Sequence, residues 1–309
     1  MEQGVRPLGL DRPIQRDPAR GIGDVLDGSG RFGHGAPRES RAGKLQQLVP
    51  GVERRSFGRV ADRAIYLSVV VPVRNGADRL PAHLAALRAF ACAQGHPTEL
   101  VLVDDASEPA AARLLADFGR DAAEVTVLRN EANRGKGFSV ARGMLAARGR
   151  YRVFTDADLA YPLDEIAHIV HRLETGSDVA IACRVLPESR YLMSPSFFHY
   201  LYTRHVMSRV FNRVVRLLLL PGILDTQAGL KGLTARAAEL IVPRLTIAGF
   251  GFDVELLYLA KKHGLTVAQA AVQYRYDDEP STVRFAADAV EMLEDLVKIR
   301  WNDWRGRYG

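Results

Sequence analysis

The sequence predicts an α/β protein, a mainly parallel, Rossmann-like sheet with helices on both faces. Three observations carry this expectation. Short, mostly apolar runs recur at residues 65–73, 100–103, 125–128, 151–155 and 179–183, the first of them rich in β-branched residues. Runs of that length without polar alternation are strands buried on both faces. Between them lie segments with apolar residues at helical spacing. Polar clusters stand where the runs end: Asn75, Asp104-Asp105, Asp156 with Asp158, and Arg184. Parallel sheets bind ligands beyond the carboxyl ends of their strands.

Each element has a local reason. Residues 65–73 open the sheet. Leu80, Leu84, Leu87 and Ala91 then mark a helix by their spacing. Residues 100–103 form the second strand, residues 109–118 a helix and residues 125–128 the third strand. Residues 137–147 are helical, and residues 151–155 give a fourth strand. Ile166, Ile169, Val170 and Leu173 mark the next helix, followed by the strand at 179–183. The second half is less regular. Residues 196–220 read as one or two helices, and residues 225–231 as a polar loop or short strand. Residues 252–263 read as a helix and residues 265–274 as one strand. A terminal amphipathic helix is expected over 283–301, with Val290, Leu293 and Val297 on one face.

Residues 1–60 are rich in Gly, Arg, Pro and Asp and lack periodic apolar positions, so they are expected to be a disordered extension. The rest, 61–309, is expected to be one domain. Of the 309 residues, 47% are hydrophobic, enough to bury a sizeable core. The formal net charge of +6 suits an anionic ligand or an anionic membrane surface. No recognition motif accompanies the charge, so nucleic acid is not an expected partner. The two cysteines, Cys92 and Cys183, make neither a metal-ligand spacing nor a disulfide framework. A reducing, cytoplasmic setting is expected. No apolar stretch reaches the roughly 18–20 residues of a membrane span.

Asp156-Ala157-Asp158 follows an apolar strand. Residues i and i+2 of an extended segment point to the same side, so both carboxylates reach one region. Their mutual repulsion is relieved by a hard divalent cation, Mg²⁺ or Mn²⁺, which also takes diphosphate oxygens. A bare Asp-x-Asp is also the composition of a solvated turn. Asp104-Asp105 suits a base or ribose, or a helix cap ahead of Ser107 and Glu108. Asn133-Arg134-Gly135-Lys136-Gly137 places glycines and a mobile cation at a helix start, where anions are favoured. Asp253 begins another helix after Phe250-Gly251-Phe252, either as a cap or as a general base at a cleft. Arg209, Arg213 and Arg216 share one helical face, a basic edge suited to a membrane surface or simply to solvent.

Together these segments resemble family 2 of the inverting glycosyltransferases over residues 67–284. The first strand and loop are similar in Val69-Val70-Val71-Pro72-Val73-Arg74-Asn75. The nucleotide-binding strand end is similar in Val103-Asp104-Asp105-Ala106-Ser107, and the metal motif in Asp156-Ala157-Asp158-Leu159. Within that family the chain looks most like the polyprenyl- or dolichyl-phosphate glucosyltransferases, with the mannosyl enzymes next. Asn133–Gly137, Asp156–Leu159 with Pro162, Asp225-Thr226-Gln227 with Gly229 and Lys231, and Phe252-Asp253-Val254-Glu255 carry this likeness. Ala228 and Leu230 depart from the Cys and Phe usual there.

The resemblance implies a GT-A fold with a nucleotide-sugar part at about 64–185 and an acceptor part at about 186–309. It implies that Asp104 and Asp105 hold the nucleoside, with Pro72 and Asn75 lining its pocket. Asp158, helped by Asp156, would bind Mg²⁺ or Mn²⁺ on the diphosphate, and Lys136 and Arg184 would add charge stabilisation. Asp253 and Asp158 are the implied catalytic groups. Arg209, Arg213, Gln227 and Lys231 are the implied acceptor contacts. The implied donor is UDP-glucose, with GDP-mannose second, and the implied acceptor a lipid phosphate at a membrane surface, with a soluble acceptor as the alternative. Two other classes are weighed against this. A nicotinamide-dependent oxidoreductase needs Gly-x-Gly-x-x-Gly after the first strand, and only Gly76 stands there. A non-catalytic sugar-nucleotide-binding protein would not need the Asp156/Asp158 pair together with Asp253.

Overall fold

The computed structural model describes residues 64–120, 122–193, 209, 211–276 and 285–309. The expectations for residues 1–60 and 196–208 lie outside them.

Seven strands form one sheet in the order β3-β2-β1-β4-β7-β5-β8. They are β1 (Leu67–Val73), β2 (Thr98–Asp104), β3 (Val125–Arg129), β4 (Tyr151–Phe154), β5 (Val179–Ala182), β7 (Lys231–Thr234) and β8 (Val267–Ala270). β6 (Arg190–Met193) and β9 (Gln273–Tyr276) pair in parallel as a separate ribbon. β1 pairs in parallel with β2 and β4, and β2 with β3. β7 runs antiparallel to both of its neighbours, β4 and β5. The expected mainly parallel sheet is therefore present, with one reversed strand supplied by the second half of the chain.

The helices are α1 (Leu80–Ala93), α2 (Pro109–Arg120), α3 (Lys136–Ala146), α4 (Glu165–Glu174), α5 (Ala235–Ile241), α6 (Phe252–Lys262) and α7 (Phe285–Trp304). Residues 211–218 are also helical. Alternate side chains of each strand face opposite ways, and two cores result. Val69, Val71, Leu100, Leu102 and Val153 pack with α1, α2 and α4 through residues such as Leu84, Leu115 and Ile169. Val70, Val101, Val103 and Phe154 pack on the other face with Val140, Ala238, Leu256 and Ile299 of α3, α5, α6 and α7.

Two expectations about elements are corrected. Residues 265–274 are not one strand. The chain leaves the large sheet after Ala270 and joins the small ribbon at Gln273, so β8 and β9 serve different sheets. In α7, Leu293 and Val297 share a face, but it is the outer one. Leu296 and Ile299 enter the core while Val297, Trp301 and Trp304 stay exposed.

Candidate active site

β1, β2, β4 and β5 end on one rim of the sheet. Because β7 is reversed, its first residue, Lys231, lies on that same rim, opposite Phe154 of β4 and Ile181 of β5. The rim is conformationally constrained. The non-glycine residues with positive φ among those described are Asn75 (φ 61°), Ala106 (φ 55°) and Leu159 (φ 51°), one after each of β1, β2 and β4. Such conformations cost energy and concentrate where ligands are handled. Asn75 is held by two bonds. Its amide N–H donates to Ser107 Oγ at 2.9 Å, and its Oδ1 accepts from the Glu108 N–H at 2.9 Å. Pro72, half-buried, pairs with Val103 beside it.

Asp104 and Asp105 are 1% and 4% exposed, and both serve the protein's own loops. Asp104 accepts from the Ser107 N–H at 2.8 Å and from the Arg129 guanidinium. Asp105 accepts from Asn130 Nδ2 (2.7 Å) and from the N–H groups of Arg134 (2.8 Å) and Gly135 (2.9 Å). Asp104 therefore organises the turn into α2, and Asp105 fixes the loop into α3. Both carboxylates, expected at a nucleoside, are engaged with these loops. Asn130, which follows β3, was missed from the sequence. The end-of-strand argument that picked out Asp104 and Asp156 applies to it equally.

Asp156 and Asp158 follow β4. Lys136, the first residue of α3, forms an ion pair with Asp156 Oδ1 at 2.5 Å. The loop carrying Lys136 depends on its glycines. A Cβ on Gly135 (φ 91°) would come within 2.5 Å of the Ala248 oxygen, and one on Gly137 within 2.6 Å of Phe252 Cβ. The loop thus lies directly against the segment leading into α6. Burial works against the Lys136 ammonium, yet Asp156, Asp253 and Asp158 outweigh it and hold its pKa above the usual amine range. Loss of hydration and then the neighbouring Asp156 push the Asp158 carboxyl up. Gly229 lies against this acidic pair, since a Cβ there would fall 1.9 Å from Asp156 Oδ2.

Asp253 is in the first turn of α6 and 3% exposed. Lys231 donates to its Oδ1 and to the Ala228 carbonyl oxygen. Lys231 is 0% exposed, so the expected contact with an acceptor is corrected: the ammonium is enclosed beneath the rim and committed to Asp253. Two residues on, Glu255 is also buried. It accepts from the N–H groups of Thr246 (2.9 Å) and Ile247 (2.8 Å) and from the Tyr308 hydroxyl, fixing the segment that the Gly135–Gly137 loop rests on.

Arg184, after β5, is committed in the same way. Its Nε and Nη2 donate to Asp225 at 2.8 and 3.0 Å, a forked pair of the strong kind. Burial pushes Asp225 up, but Arg184 outweighs it and holds the carboxyl below the usual range. Arg184, expected to add charge stabilisation at a diphosphate, is paired with Asp225 in the structure. Tyr161, absent from the sequence candidates, stacks edge-on to Tyr274 at 4.9 Å beside this pair. Among the described residues its buried hydroxyl has no partner. Arg209, Arg213 and Arg216 do not meet the Asp156 cluster. They line a separate depression of about 850 Å³ with Leu217 and Leu224. Asn212 ties that helix to the site, its Oδ1 accepting from Thr226 Oγ1 at 2.7 Å. Gln227 lies between the Asp225 loop and α7, with Nε2 3.9 Å from Met292 Sδ.

The family model "Glycosyl transferase family 2" matches residues 68–229, more than half of the chain. The chain is a family 2 glycosyltransferase. Curated relatives of this glycosyltransferase include the dolichyl-phosphate beta-glucosyltransferase of Dictyostelium discoideum, 33% identical over 77% of this chain and 74% of that one. The Drosophila melanogaster protein of the same name is 35% identical over 76% and 74%. Among solved structures, the fold is shared with glucosyl-3-phosphoglycerate synthase from Mycobacterium tuberculosis in complex with Mn²⁺, UDP and glucosyl-3-phosphoglycerate. There the TM-score is 0.52 and the identity 17%, covering 77% of this chain and 80% of that one. Mannosyl-3-phosphoglycerate synthase from Rubrobacter xylanophilus gives a TM-score of 0.56 at 18% identity, covering 79% and 75%. The glycosyltransferase has the GT-A fold of these neighbours.

The residues present suit a divalent cation. Asp156 and Asp158 offer hard oxygens in a glycine-backed recess, and their mutual repulsion is of the kind a cation relieves. No group of three or more His, Cys, Asp or Glu stands together among the described residues. Two carboxylates are enough for a cation of this class, which takes its remaining oxygens from water and phosphate. No helix among the described residues is long and apolar enough to cross a membrane.

Proposed function

We propose that this glycosyltransferase transfers glucose from UDP-glucose to a polyprenyl phosphate, with inversion at the anomeric carbon, and depends on Mg²⁺ or Mn²⁺ bound by Asp156 and Asp158. The observation that carries the reading is the meeting of Asp156, Lys136 and Asp253 on one rim. Lys136 pairs with Asp156 while feeling the charge of Asp253. Relatives at 33% and 35% identity bear the name of that activity.

Residues 64–185 form the donor part and residues 186–309 the acceptor part. Pro72 and Asn75 line the nucleoside pocket, whose walls Asp104 and Asp105 hold in place. When bound, the cation neutralises charge on the departing diphosphate. Lys136 supplies a positive charge beside it. Asp253 orients the acceptor on the opposite face of the sugar. A phosphate acceptor is already anionic near neutral pH, so Asp253 directs it, whereas a hydroxyl acceptor would give up its proton to Asp253. Arg209 and Arg213, in their own depression, steer the anionic acceptor toward the rim. The protein then works at the cytoplasmic face of a membrane.

The test is transfer of radiolabelled glucose from UDP-glucose, with Mn²⁺ or with EDTA, to polyprenyl phosphate or to 3-phosphoglycerate. Label extractable into organic solvent is expected only with the lipid and the metal. Label appearing on phosphoglycerate alone would replace the acceptor. Asp158→Ala is expected to abolish transfer while melting within a few degrees of wild type, and normal activity in that variant would remove the metal assignment.

A further inference from the structure

Lys231 is a charge placed where charge is expensive. It is 0% exposed, and among the described residues its ammonium, with three N–H donors, meets Asp253 Oδ1, the Ala228 oxygen and, at 5.6 Å, the face of the Phe154 ring. A buried ion pair adds little net stability over an apolar pair of the same size, because dehydration consumes the attraction. Stability therefore does not account for this pair, and its location does. Lys231 begins the reversed strand β7, and Asp253 lies in the first turn of α6. The groups facing Asp253 are Lys231 from β7, Lys136 from α3 and Asp156 after β4. Positive and negative charges alternate from Asp156 through Lys136 and Asp253 to Lys231.

We propose that Lys231 is a positioning residue for Asp253: it anchors Oδ1 from inside the sheet, so that Oδ2 is the oxygen presented to the acceptor. The proposal rests on the acceptor-side role of Asp253 stated above. The energetic directions agree with it. Burial pushes Asp253 above the usual carboxylate range, with Lys231 and then Lys136 acting against that rise. Burial likewise pushes Lys231 below the usual amine range, opposed by Asp253. Without Lys231, the largest force holding Asp253 ionised is gone, and its protonated form persists to higher pH. A protonated Asp253 no longer offers two accepting oxygens to an acceptor hydroxyl or to a singly protonated phosphate.

The experiment compares wild type with Lys231→Met, Lys231→Arg, Asp253→Asn and the double variant Lys231→Met/Asp253→Asn. Three quantities are read: calorimetric affinity for UDP with Mn²⁺, kcat against pH with UDP-glucose and polyprenyl phosphate, and the carboxyl ¹³C titration of labelled aspartate. The Asp253 signal is the one missing from Asp253→Asn. Lys231→Met is expected to keep UDP affinity and lose on the order of tenfold to a hundredfold in kcat. The loss shrinks as pH rises, and the Asp253 titration moves to higher pH, with Lys231→Arg recovering part of both. An unmoved Asp253 titration would overturn the proposal. So would a double variant about tenfold slower than Asp253→Asn alone, because Lys231 would then act other than through Asp253. The double variant removes both charges together, so it keeps the comparison open even where Lys231→Met fails to fold. A wild type that transfers no sugar would sink the reading of donor and acceptor, while the ¹³C titration would still decide the link between the two residues.

Discussion

Asp225 and Asp253 are both almost fully buried, yet the protein holds their carboxyls on opposite sides of the usual range. The difference lies in the partner. Asp225 receives a forked guanidinium and the Arg184 N–H, whereas Asp253 Oδ1 receives one ammonium. A carboxyl held low in the fold contributes stability above its unfolded pKa, and that contribution is lost as pH falls through the folded value. Asp225→Asn is therefore expected to cost about 3 kcal/mol at neutral pH, because Arg184 is left without its partner. In urea melts the gap between variant and wild type should begin to narrow as pH falls below about 3.9 and close only below the lower value of the folded carboxyl. A gap that persisted in acid would mean that Asp225 matters for its shape and not for its charge. The pair beneath the rim behaves differently. Lys231→Met/Asp253→Asn should melt at or above the wild-type temperature while no more active than Asp253→Asn, the pattern of a site that keeps charges for use at a cost in stability.

At the level of elements, the close packing of α3 on β1 and β2 gives the sharpest test. A Cβ at Gly143 would come within 2.4 Å of Val70 Cγ1 and 3.0 Å of Val103 Cγ2. Gly143→Ala should therefore cost about 1–3 kcal/mol in chemical denaturation, despite the gain in helix propensity. The same elements show what a sequence discloses. The strands β1, β2 and β5 were legible because each is a mostly apolar run too short for a helix and buried on both faces. Asp156 with Asp158, Lys136 and Asp253 were found because a strand end or a helix start marks each place. The break between β8 and β9 was not legible, since Ala271-Val272 carries no turn residue. Nor was the reversal of β7, because four residues, Lys-Gly-Leu-Thr, read the same in either direction of pairing. That reversal is also why Lys231 was expected at the acceptor and found beneath the rim. A lysine next to a polar loop reads as surface until its strand is known to lie between β4 and β5. The commitment of Asp104 and Asp105 to their own loops depends on Arg129, Asn130 and Gly135, which come together only in the folded chain.

For the molecule as a whole, binding should register as stability. A ligand that binds only the folded state raises stability by about 2.7 kcal/mol at a hundredfold excess over its Kd. UDP with Mn²⁺ is expected to raise the melting temperature, and UDP with EDTA to raise it far less. EDTA alone should leave it unchanged, because two carboxylates on a rim do not hold the fold together. Equal shifts with and without metal would argue that the nucleotide is gripped by protein groups alone. The reversed strand also bears on synthesis. β4 and β5 lie on either side of β7, yet β7 is made about 50 residues after β5. While the ribosome is still short of residue 231, the first four strands can assemble, but β5 has no edge to join. The nascent chain carries two open strand edges through that interval, and these are the surfaces where chaperones would engage it or where it would aggregate.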